Sequence, residues 1–255
     1  MIKKKRAKAG TVVLLLGFLT LLLFSLPSFS AVRKNQFSSS DSIVALLKGP
    51  MQEVLKNIYK KGPEAYKKLR NISFSDQYPV GTRWKAFMAL SQVGGKGSLP
   101  EIDQALTSKD WFMRNAGLLA LEKIHFLKAV GRAKDMFVND KALLVRAKAL
   151  EVLQSTPNKK VRKLLWKELY SDKNYYRGKG LWIRKRIAQF LADYGEKSDL
   201  KPFLELVESE DMEDREIKPL IFPAIERLLG QASKKNLSAE GKVAYWTQRL
   251  KKALR

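Results

Sequence analysis

Apolar residues recur three and four positions apart along most of this chain, and nowhere do they alternate with polar residues for long. That spacing predicts helices and argues against a sheet. The helical pattern itself repeats. Arg83, Arg114, Arg146 and Arg184 follow one another after 31, 32 and 38 residues, preceded by Thr82, Met113, Val145 and Ile183. Three residues beyond the arginines stand Ala86, Gly117, Ala149 and Ile187. Six beyond are Ala89, Ala120, Val152 and Phe190, and seven beyond are Leu90, Leu121, Leu153 and Leu191. Nineteen beyond are Ile102, Ala133, Leu165 and Phe203, and twenty-three beyond are Leu106, Phe137, Leu169 and Val207. All twenty positions are apolar or glycine in a chain that is 45% hydrophobic.

Offsets of three, six and seven place side chains on one helical face. Breaks follow at Gly94-Gly95, His125, Pro157-Asn158 and Tyr194-Gly195, so each unit reads as a helix, a turn and a second helix. One such pair cannot bury its apolar side alone, so neighbours must stack. The small residues Ala86, Ala89, Gly117 and Ala120 allow close approach. The expected fold is all-α, an α-solenoid of helical hairpins over 77–231. Capping helices are expected over 42–76 and 232–255. Pro50 and Pro63 suit first turns, predicting helices over 50–60 and 63–71. Ser238 predicts the N-cap of a last helix with Val243, Trp246 and Leu250 on its buried face. The last unit, with Asp214 and Arg215, departs from the pattern, because Pro219 and Pro223 are expected to interrupt its first helix.

The stretches 82–90 (TRWKAFMAL) and 145–153 (VRAKALEVL) resemble the first helix of short bacterial HEAT repeats. The resemblance covers about 77–231 and implies the solenoid fold while saying little about function. It also implies a structural role for Arg83, Arg114, Arg146 and Arg184, each supporting packing beside a nearby acid. Asp110, four residues before Arg114, is the expected partner there.

The first thirty residues read differently. Lys3, Lys4, Lys5, Arg6 and Lys8 precede an apolar run from Thr11 to Leu26, and small residues at Ser28, Ser30 and Ala31 follow. This is the pattern of a secretory signal cleaved before Ala31, with an uncleaved anchor as the alternative. Residues 31–41 read as a polar linker. Export to a bacterial periplasm or envelope is expected. Lys and Arg total 49 against 25 Asp and Glu, a net charge of +24, and removing 1–30 leaves +19. That excess favours an acidic partner. The chain has no cysteine and one histidine, His125, which excludes disulfides, thiolate chemistry and a multi-histidine metal site within one chain.

Little else points to catalysis. Gly94-Gly95-Lys96-Gly97 lacks the spacing of a phosphate-binding loop, and no serine nucleophile motif occurs. Glu205, Glu208, Glu210, Asp211, Glu213 and Asp214 read as a solvated acidic loop. No cofactor, metal or catalytic residue is expected. The segment 159–186 carries eleven cations against Glu168 and Asp172, with Trp166, Tyr170, Tyr175, Tyr176 and Trp182 among them. Its unit is also six residues longer than the one before, and extra length in a repeat connection marks a candidate binding face. Trp166 and Trp182 are expected to be partly core. The candidate binding residues are Arg162, Lys163, Lys167, Lys173, Tyr175, Tyr176, Arg177, Lys179, Lys185 and Arg186.

These features point to an exported, non-enzymatic scaffold that holds an acidic protein or polyanion, with membrane-surface contact open and nucleic acid less favoured. Two alternatives remain. One is a basic HEAT-like DNA glycosylase acting on alkylated purines. In that family a Trp and an Asp lie one helical turn apart, whereas here Asn115 follows Trp111. The other is a membrane-anchored envelope assembly factor.

Overall fold

The computed structural model describes residues 42–233 and 236–255. The signal-like segment and the polar linker lie outside the described residues. No helix among those described is long and apolar enough to cross a membrane.

The chain is mostly helical. In order come α1 (Ser42–Leu46), α2 (Met51–Phe74), α3 (Val80–Gly94), α4 (Leu99–Leu106), α5 (Trp111–Ile124), α6 (Phe126–Asn139), α7 (Leu143–Gln154) and α8 (Lys159–Glu168). A two-stranded hairpin follows, β1 (Tyr175–Tyr176) and β2 (Lys179–Gly180), then α9 (Trp182–Tyr194), α10 (Leu200–Glu208), α11 (Lys218–Leu229) and α12 (Ala239–Ala253). Helix α2 is broken at Gly62, whose φ of 65° and ψ of −156° leave the helical region. Glycine enters that conformation without a Cβ penalty, and Pro63 restarts the helix at a position where its missing N–H costs nothing.

Helices α3, α5, α7, α9 and α11 form a row, each packed on the next, and α4, α6, α8 and α10 each pack against the first-row helix that follows. All twenty recurring positions are buried. At Gly117 a Cβ would come within 3.0 Å of the Leu106 backbone nitrogen and 3.2 Å of the Ala105 Cβ, so the absent side chain is what lets α4 and α5 close up. Trp246 and Leu250 of α12 are fully buried, and Ser238 Oγ caps the helix by accepting from the Gly241 N–H at 3.0 Å.

The prolines of the last unit do not interrupt its helix. Pro219 occupies the first turn of α11 and Pro223 is accommodated within it. The earlier reading treated both as breakers. However, Pro219 lies where N–H groups have no intrahelical partner anyway.

Three of the recurring arginines pair forward, into the turn before the next first-row helix, and Arg83 also holds Asp76, ahead of its own helix, at 3.0 Å. Arg83 Nη2 meets Asp110 Oδ2 at 2.9 Å, and Arg114 holds Asp140 through two bonds of 2.6 and 2.8 Å. Arg184 Nη2 meets Asp214 Oδ1 at 2.5 Å. Asp110 is therefore the partner of Arg83, not of Arg114 as its spacing implied. Arg146 breaks the series. It reaches the Lys173 carbonyl at 2.6 Å and Asn174 Oδ1 at 3.2 Å, both neutral. Burial pulls the Arg146 guanidinium below its ordinary pKa, opposed by Asp140 and Glu168. Asn174 also donates to the Glu168 carbonyl at 2.6 Å, which a carboxylate could not do.

Candidate functional site

The six extra residues between Arg146 and Arg184 are where the hairpin forms. Tyr175 pairs with Gly180 and Tyr176 with Lys179. Arg177 and Gly178 turn the chain with φ of 51° and 77°. Two successive left-handed residues are the signature of a type I′ turn, whose twist matches that of the strands. The Leu181 N–H donates to the Asn174 carbonyl at 2.8 Å and closes the base.

Alternation then gives the hairpin two faces. Tyr175 lies inward, its ring 4.5 Å from the Arg184 guanidinium carbon, while the Tyr170 ring lies 5.6 Å from the same atom. Tyr176 is 63% exposed, and Lys179, its cross-strand neighbour, is exposed as well. The Arg177 guanidinium lies 5.3 Å from the centre of the Tyr176 ring. An exposed aromatic ring thus sits beside one cation and pairs across the ladder with a residue carrying another, on a short, braced support.

The bracing comes from both sides. Besides the bonds from Arg146, the Lys173 ammonium donates to the Val138 carbonyl at the end of α6. The Gly180 N–H donates to Glu213 Oε2 at 2.6 Å. Glu213 belongs to the acidic run expected to be a solvated loop; Glu205, Glu208, Glu210 and Asp211 are exposed as expected, whereas Glu213 and Asp214 are not. Asp214 is fully buried and accepts from Arg184 and from the Tyr170 hydroxyl at 3.1 Å. Burial first, then the Asp214 charge, pushes the Tyr170 phenol well above its ordinary pKa. Burial likewise raises the Tyr175 phenol against the opposing pull of Arg184.

The structure divides the candidate residues. Arg162 is 1% exposed and its guanidinium is held by Asp199 at 2.8 Å and Glu196 at 2.5 Å, so it is removed from the accessible set. It serves packing, as does Trp166, whose indole donates to Asp199 Oδ1 at 3.1 Å and meets Phe203 edge-on. Tyr175 faces Arg184, Lys173 braces the hairpin, and Lys185 pairs with Glu216 at 2.7 Å. Lys163 and Lys167 stand exposed on α8, and Arg177 and Lys179 on the hairpin, with no ion pair among the described residues. Arg186 lies 5.9 Å from the Trp182 ring centre. Trp182 is 44% exposed and less of a core residue than its sequence position indicated.

Sequence reasoning took Trp111 only as half of an unmatched catalytic pair. The structure places it in a groove with Leu144 and Trp182, and Asn115 there donates to the Leu144 carbonyl at 3.3 Å. The signal that could have exposed this was the recurrence of a large apolar residue two or three positions before each repeat arginine.

The molecule is therefore an all-helical protein of successively packed helices, with one hairpin carrying an exposed ring and cations. Neither a scan of protein-family models nor a search of curated proteins finds a match to the chain.

Proposed function

We propose that this protein is an exported, non-enzymatic HEAT-like solenoid scaffold that holds an acidic protein or other polyanionic partner through a basic surface. The forward packing of α3, α5, α7, α9 and α11 supports the repeat reading, since each helix pair has an apolar side that only its neighbours cover. The observation that carries the binding reading is the hairpin's outer face. Tyr176, Arg177 and Lys179 are exposed on a support braced at its base, and Lys167 ends the helix that leads into it. A braced face loses less side-chain freedom on binding than a mobile loop would, and unpaired cations attract a polyanion over about a Debye length.

The experiment is retention on immobilised heparin and on immobilised poly-glutamate. The variant carries Lys167→Glu, Arg177→Glu and Lys179→Glu, which leave the bracing contacts in place. Loss of retention with unchanged helical circular dichroism is expected, as is elution of the unaltered protein at raised salt. Retention equal to that of the unaltered protein refutes the reading. For export, sequencing the N-terminus of protein recovered from the envelope should give Ala31. A chain still carrying Val12–Leu23 would instead make it anchored.

A further inference from the structure

The hairpin is too short to hold its own shape. Each strand has two residues, and a lone two-stranded hairpin is marginal in water. The Leu181 N–H bonds across the base to the Asn174 carbonyl, so the next pair along the ladder, Tyr175 and Gly180, stands where no cross-strand bonds are exchanged. The Gly180 N–H is therefore turned away from β1, and Glu213 Oε2 accepts it at 2.6 Å.

The fold delivers Glu213 to that place. Its own N–H donates to Asp211 Oδ1 at 2.9 Å, and its carbonyl accepts from Arg184 at 3.2 Å. The next residue is Asp214, the buried partner of Arg184. With the backbone held on both sides, the Glu213 side chain has one short reach to make. Gly180 completes the fit, because a Cβ there would come within 2.7 Å of Arg184 Nη1 and 3.4 Å of Glu213 Oε2.

Charge and geometry make opposite demands on this residue. Lys179 precedes Gly180, and with Arg177 it supplies the cations of the hairpin's outer face. A carboxylate next to them repels the polyanion that they attract. Anchoring Gly180, however, fixes where Lys179 projects and, through the ladder, where Tyr176 does.

We infer that Glu213 is a positioning residue for the polyanion site: it holds the β2 edge so that Arg177 and Lys179 engage one polyanion together, and this outweighs its own repulsion. The inference rests on the polyanion reading of the hairpin.

The test is heparin affinity of the full chain, measured by calorimetry over a range of salt. In Glu213→Ala affinity should fall about fivefold, and the slope of log K against log salt should become shallower because fewer cations engage. Glu213→Gln, which keeps an acceptor oxygen and loses the charge, should bind at least as tightly as the unaltered protein. Glu210 is exposed and makes no hydrogen bond or ion pair among the described residues. Glu210→Gln reads the charge effect alone and should gain up to about twofold. In a protein carrying Arg177→Ala and Lys179→Ala, Glu213→Ala should cost nothing more. Helical circular dichroism should be unchanged throughout. The proposal is overturned if Glu213→Ala binds as tightly as the unaltered protein or more tightly. It is equally overturned if Glu213→Gln falls as far as Glu213→Ala, or if Glu213→Ala loses as much without the two cations as with them. Each of those results leaves the polyanion reading standing, whereas an unaltered protein that does not bind heparin refutes that reading and this role with it.

Discussion

Replacing Asp214 with Asn removes one charge and almost no volume, so it isolates what the buried carboxylate contributes. Asp214 is 0% exposed and Arg184 2%. The carboxylate holds Arg184 at 2.5 Å and accepts from the Tyr170 hydroxyl at 3.1 Å. Arg184 retains bonds to the Leu169 carbonyl at 3.1 Å and the Glu213 carbonyl at 3.2 Å, with Tyr170 and Tyr175 stacked around it. Those groups keep the guanidinium hydrogen-bonded but do not neutralise it. Breaking a buried pair from one side costs about 3–5 kcal/mol, and because Arg184 keeps its carbonyls we expect the lower end, about 3 kcal/mol. That is roughly two powers of ten in the folding equilibrium. Urea unfolding followed by far-ultraviolet circular dichroism measures it, and an unchanged m-value would show that the denatured state is not responsible. The exposed Glu216, replaced by Gln, is the control and should change stability by only a small fraction of that loss. If Asp214→Asn lies within about 1 kcal/mol of the unaltered protein, the forward arginine pairs do not matter as described.

Three further outcomes follow from the packing. Leu153, fully buried in the first-row core, should cost about 2–5 kcal/mol when replaced by Ala, measured by the same unfolding curve; a neutral result would contradict the register. Gly195→Ala should destabilise and disturb the α9–α10 turn, because a Cβ there would sit 2.5 Å from the Leu191 carbonyl oxygen and 2.9 Å from the Phe203 ring; a crystal structure of the variant with Phe203 unmoved would refute this. Burial and then Glu101 raise the Tyr66 phenol from 10.0 to about 12, so the folded state keeps a proton that the unfolded state loses. Stability from this group is complete below pH 10 and declines from there to about pH 12. Alkaline unfolding of Tyr66→Phe should show a shallower decline, and an unchanged slope would count against it.

The helical units were legible because their signal is local. Apolar spacing of three, four and seven marks a buried face, and Gly, Pro and Asn mark the turns. Pairing between units was not legible. Arg114 was matched to Asp110 because helical reasoning looks four residues away, whereas the fold joins residues nearly a whole unit apart. Arg162 misled for the same reason, since Asp199 and Glu196 lie far along the chain. The hairpin escaped notice because two-residue strands are too short to show alternation, and arginine is an uncommon residue at a left-handed turn position. Trp111, Leu144 and Trp182 looked like ordinary apolar members of helices. Their shared exposure depends on how α5, α7 and α9 lie side by side, which no single stretch of sequence encodes.

Of the four joints made by the repeat arginines, three are locked by opposite charges and one is not. Arg146 bonds to the Asp140 and Lys173 carbonyls and to the Asn174 amide oxygen, and without a carboxylate oxygen in direct contact it lacks the paired charge that the other three joints have. Under tension along the row, that seam, between α7 and the hairpin ahead of α9, is where the chain would yield first.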